Sequence, residues 1–367
     1  MRNDRTCAGG SRGPRNGSTS SPPTAARSEP AMTLPAETVD VRAQRAHERA
    51  IVVDGLGGSA WEYEPIIAGG VTAVNVTLAS STPGTPVPVL KEALRYHWLA
   101  GTVPDRLLVV GQVSDILLAK ETGRLGIILG VQGCDFLENE VDLVEVFQRM
   151  GLRIAQLTYS ERNRLGSGCL EPEDHGLTAF GRQVVRECDR VGVVVDLSHA
   201  GERTALDAVA ASERPVIISH ANVRALNDNP RCVRDDLIRA VAGSGGVMGV
   251  SAYATFAETR YGSWPTLDDL VRHVAYAAEL VGVEHVGVGT DMFEGRTNTS
   301  FVFDIQRRYG ETLRPYSRLG TRMVQGLPSM RHLPRVTAAL LGHGFDEDEV
   351  AMIMGGNFLR VFEKVWQ

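Results

Sequence analysis

The stretch GVVVDLSHAGERTALDAVAASERPVIISH, residues 192–220, holds two apolar, β-branched runs separated by a segment of helical period. Both runs, GVVVDLSH (192–199) and RPVIISH (214–220), end in histidine. Strand, helix, strand in that order is the unit of a parallel sheet, because parallel strands need a crossover between them. Six further runs repeat the pattern: AIVVDG (50–55), GVTAVNVTL (70–78), LGIILGVQG (125–133), LRIAQLTY (152–159), GGVMGVSAY (245–253) and EHVGVGTD (284–291). Between them lie segments such as LTAFGRQVVRECDRVG and LDDLVRHVAYAAELVG, apolar at helical spacing and charged on the opposite face. Eight strand-and-helix repeats predict an α/β fold, a single (β/α)8 TIM barrel, and near-continuous apolar strands agree with burial on both faces. A doubly wound open sheet is disfavoured because no GxGxxG turn follows the first run.

The length fits one large barrel, since 367 residues with 43% hydrophobic, 22% charged and 39 Gly describe a globular chain. A formal charge of -6 offers no footprint for nucleic acid. Residues 1–31 carry five Arg against one Asp and one Glu and are rich in Gly, Ser and Pro, with no apolar signal core. Residues 1–40 are therefore expected to be a disordered extension and 41–367 the barrel, with Met32 an alternative start to Met1. The longest charge-free run, 65–90, holds four Pro and cannot span a membrane. Five cysteines without CxxC spacing (Cys7, Cys134, Cys169, Cys188, Cys232) suggest neither a disulfide framework nor a zinc ribbon. A reducing, cytoplasmic setting follows.

Strand ends carry the chemistry. Asp54, Gln132, Tyr159, His199, His220, Ser251 and Asp291 each close an apolar run, and in a barrel these ends converge on one face. A lone buried histidine is usually a structural residue. Two on consecutive strands, about 4.8 Å apart, can present both imidazoles to one ion. Asp291 could equally cap a turn, and Arg231 in DNPRCVRDD reads locally as a surface residue before a helix. His47, His97, His273, His285, His332 and His343 have ordinary structural readings. Two excursions, SERNRLGSGCLEPEDHG after the fourth run and 292–333 after the eighth, are candidate lids.

Together, VVDG, GGVTAVNVTLA, LTAFGRQVV, VGVVVDLSHAGERT, RPVIISHANVRAL, PRCVRDD, GVGTDMFEG and IMGGNFLRVF make the chain resemble the membrane dipeptidase (renal dipeptidase) family of zinc peptidases from Ile51 to the C-terminus. The resemblance implies a barrel of the metal-dependent-hydrolase type with two bridged zinc ions, cleavage of dipeptides, and frequent homodimers. The family's first His-x-Asp ligand pair falls on Leu56 and Gly58, which cannot ligate through side chains, and its bridging Glu falls on Gln132. His199 and His220 match the second-ion histidines. Tyr159 stands at the family's substrate-contacting His, Arg231 at its carboxylate-binding Arg, and Asp291 at its catalytic, amine-binding Asp.

The expected cofactor is therefore one zinc or other divalent ion, or none. A third ligand would have to come from Asp291, the Gln132 amide, or the excursion bearing Cys169, Glu171, Glu173 and His175. Three functions are open: a hydrolase of a dipeptide or small amide using at most one ion; a metal-free proton-transfer enzyme acting on an amino-acid-like substrate in small-molecule biosynthesis; and a non-catalytic binding pseudoenzyme.

Overall fold

The computed structural model describes residues 40–80, 84–294 and 322–366. Residues 1–39 of the expected N-terminal extension, with Cys7, and most of the second excursion lie outside them. The described residues form nine strands: β1 Val53–Gly58, β2 Ala73–Ser80, β3 Leu107–Val109, β4 Leu125–Gln132, β5 Leu152–Gln156, β6 Val194–Asp196, β7 Ile217–Ala221, β8 Val247–Val250 and β9 Val286–Val288. Eight pair in parallel in the order β1-β2-β4-β5-β6-β7-β8-β9, a nearly closed (β/α)8 barrel. The unexpected β3 pairs with the first residues of β4. Each expected run overlaps a strand, but β1 begins three residues later than AIVVDG and ends three later, which puts Leu56 and Gly58 inside it.

The seam between β9 and β1 is tied beyond the strands. The Asp291 N–H donates to the Leu56 carbonyl at 2.7 Å, and the Thr290 N–H and hydroxyl donate to the two Asp54 carboxyl oxygens at 2.7 and 2.6 Å. Asp54 is thus a barrel-closing residue. Burial lifts its carboxyl to about 6 against the pull of those bonds.

Inward-facing Val53, Ala73, Ile128, Ile154, Val194, Ile217 and Val247 pack with Phe358, Phe362 and Trp366 in one apolar cluster. The last three belong to or directly follow the C-terminal helix Asn357–Val365, whose apolar face fills the barrel interior away from the site. A Cβ at Gly55 or Gly287 would meet the Phe358 ring at 2.7 or 2.6 Å, so glycine is what lets this ring enter. A buried ring of this kind contributes roughly 1.5–3 kcal/mol. With this end filled by packing, polar side chains gather at the strand C-termini.

Candidate active site

Register sets the heights of the site residues. Gln132 ends β4 and pairs with Gln156, which pairs with Asp196 at the end of β6. His220 lies within β7, while Tyr159, His199 and Asp291 follow β5, β6 and β9 by three residues. His199 and Asp291 are left-handed, with φ of 65° and 59°. Such a backbone costs roughly 1–3 kcal/mol in a non-glycine residue and persists only where surroundings hold it. At His199 the holders are visible. Asp196 accepts from the Ser198 N–H at 2.9 Å and hydroxyl at 2.8 Å, and the Cys169 N–H donates to the His199 carbonyl at 2.7 Å.

The two imidazoles meet as the sequence predicts. Their Nε2 atoms are 3.1 Å apart, and the Gln132 amide nitrogen is 3.2 Å from His220 Nε2. The Ser219 hydroxyl lies 2.7 Å from His220 Nδ1 and donates to Asp196 at 2.5 Å. With Asp196 ionised, Ser219 spends its hydrogen there and receives one from His220 Nδ1, leaving the His220 Nε2 lone pair facing His199 and Gln132. The Ser160 hydroxyl is 2.9 Å from His199 Nδ1 and can donate or accept, so it accommodates either tautomer of His199. Burial first, then the Arg231 charge, hold both imidazoles well below the usual histidine range. Both are neutral at pH 7.

Arg231 corrects the local sequence reading, because only 1% of it is exposed. One guanidinium nitrogen donates to the His220 carbonyl at 3.0 Å, and the group lies over Phe256 at 5.1 Å from the ring centre. Its charge pulls Asp291 down, but burial dominates and the nearby Asp54 adds to it, lifting Asp291 to about 7. Tyr159 stacks on His199 with ring centres 4.1 Å apart. Tyr253, after β8, feels both Asp291 and Tyr159 and is pushed up mainly by burial.

A dinuclear zinc centre does not fit these residues. Leu56 is a fully buried aliphatic side chain, Gly58 is left-handed with Phe293 packed against it, and Gln132 is neutral. One ion fits better in part: two nitrogens on one tetrahedral zinc lie about 3.3 Å apart, close to the His199–His220 spacing. No third ligand joins them, since among the described residues no group of three His, Cys, Asp or Glu is placed to hold an ion. The first excursion does not supply it. Glu171 accepts from the Arg162 N–H at 2.8 Å, and His175 pairs with Glu173 at the surface at 3.7 Å; of the four candidate ligands on this excursion only Cys169 comes near His199, and it does so through its backbone N–H.

Sequence reading weighed the histidines of DLSH and ISH but passed over Asp196, Ser198 and Ser219 in the same motifs. Ser160 was adjacent to a chosen residue. Phe293 and Tyr253 left no local signal, since tertiary packing alone brings them to the mouth.

This fold and mouth define a (β/α)8 barrel whose polar residues gather at the strand C-termini. The family model for membrane dipeptidase (Peptidase family M19) matches residues 67–306 and 318–367, and the chain belongs to that family. Dipeptidase tcpJ of Claviceps purpurea is 29% identical over 263 residues, 71% of this chain and 56% of its own length. Dipeptidase aclJ of Aspergillus oryzae is 26% identical over 291 residues, 77% of this chain and 63% of its own. The chain thus spans little more than half of these relatives. An amidohydrolase structure from Pseudomonas aeruginosa superimposes with a TM-score of 0.81 at 32% identity, covering 88% of this chain and 99% of the other. A Rhodobacter sphaeroides metallo peptidase, 19% identical with a TM-score of 0.73 over 86% of this chain and all of its own, shares the fold.

Proposed function

We propose that the barrel mouth hydrolyses a dipeptide or small amide, with at most one divalent ion on His199 and His220. The observation that carries this reading is the convergence of Arg231, Asp291 and the neutral histidine pair on one face. Arg231 receives the substrate carboxylate through its planar fork. Asp291, lifted to about 7, is present in both protonation states near neutral pH. It accepts a proton as the oxygen of an attacking water bonds to the amide carbon, and returns one to the nitrogen as the C–N bond breaks. Gln132 and Tyr159 line the substrate and donate to its carbonyl oxygen.

That no third ligand is placed among the described residues favours a second reading, in which Tyr159, His199, His220 and Asp291 transfer protons without metal on an amino-acid-like substrate in small-molecule biosynthesis. Assays on a panel of L,L- and L,D-dipeptides, with and without chelator, separate the two. Hydrolysis supports the first; no hydrolysis of any member, with binding retained, supports the second or a binding pseudoenzyme. The four described cysteines are unpaired thiols, which supports a reducing compartment such as the cytoplasm; no described helix is long and apolar enough to cross a membrane. Pairing as a homodimer is carried by family alone.

A further inference from the structure

Position 58 is closed by geometry as well as by residue type. Gly58 has φ of 63°, a conformation side-chain-bearing residues rarely adopt. A Cβ built there falls closer than 3.0 Å to three carbons of the Phe293 ring, a separation real Cβ atoms essentially never show. Phe293 is held in turn by the turn after β9: Asp291 is left-handed and tied to the Leu56 carbonyl, and the Met292 N–H donates to the Thr290 hydroxyl at 3.2 Å. Leu56, two residues before Gly58, has its whole side chain buried. The half of the mouth on β1 is thus filled by an aliphatic chain and an aromatic ring.

We infer that Phe293 seals this half of the mouth, so that restoring ligands at positions 56, 58 and 132 does not create a second ion site while the ring remains. The inference rests on the reading of the mouth as holding at most one ion. It makes Phe293 a determinant of metal stoichiometry in a chain whose ligand changes alone look sufficient.

The test is the zinc content, after equilibrium dialysis against zinc alone, of the full chain and three variants: Phe293→Ala; Leu56→His with Gly58→Asp and Gln132→Glu; and those three with Phe293→Ala. The triple variant is expected to stay at one ion or fewer and the quadruple variant to rise toward two. A triple variant that reaches two ions, or a folded quadruple variant that gains none over the triple, overturns the inference. Two ions in the unmodified chain would instead contradict the underlying reading.

A cycle of Gly58→Ala in both backgrounds covers the case of a quadruple variant that does not fold. Gly58→Ala should lower the melting temperature by several degrees with Phe293 present and clearly less with Phe293→Ala. Equal losses in the two backgrounds overturn the inference.

Discussion

His220 Nδ1 lies 2.7 Å from the Ser219 hydroxyl, which in turn donates to the buried Asp196 carboxylate. The serine thereby orients the imidazole and presents its Nε2 to the mouth. Ser219→Ala should cost about 1–3 kcal/mol, because it leaves buried polar groups without a partner. It should also weaken cobalt or zinc binding roughly ten-fold or more, as loss of an orienting partner does at metal-binding histidines. Urea denaturation and metal titration check both, and a variant equal to the parent in each would remove the role.

Arg231→Lys should raise KM for a substrate ending in a free carboxylate by ten-fold or more, since lysine cannot reproduce bidentate contact. An amidated substrate should be insensitive to the change. Equal effects on the two substrates would remove the carboxylate assignment.

Thr290→Val should destabilise the fold by roughly 1.5–3 kcal/mol, the usual worth of a hydrogen bond to a charged group, because the hydroxyl bond to Asp54 closes the β1–β9 seam. Thr290→Ser keeps the hydroxyl and should recover most of the loss. Thermal melts of the two variants decide it, and equal melting temperatures would argue against the seam.

Asp291 sets a pH dependence with a definite sign. Its folded pKa, about 7, exceeds the ordinary carboxyl value of 3.8, so between them the folded state binds more protons than the unfolded one. Its contribution to stability therefore falls as pH rises from about 4 to about 7. The histidines, held low, act in the opposite sense, so the comparison of parent with Asp291→Asn isolates the effect. The variant should gain stability relative to the parent as pH rises from about 4 to about 7, and a constant difference across that range would contradict the assignment.

The barrel was legible because each buried strand wrote a continuous apolar run, and the short β3 escaped because three residues carry no periodicity. The histidine pair was legible because each ended such a run on neighbouring strands. The seam role of Asp54 and the burial of Arg231 were not legible locally for one reason: each is placed by a distant segment, Asp54 by Thr290 and Arg231 by Phe256, and neither partnership leaves a trace in the local sequence. Phe293 escaped likewise, since its contact with Gly58 exists only once β9 returns beside β1.

Metal content of the protein purified without chelator and then dialysed against zinc tests the account most directly. Leu56, Gly58 beneath Phe293 and the neutral Gln132 leave, among the described residues, the His199–His220 pair to hold an ion. Elemental analysis should return one divalent ion per chain or fewer, lost when His199 is changed to Ala. Two tightly held ions per chain, or metal retained in His199→Ala, would contradict it.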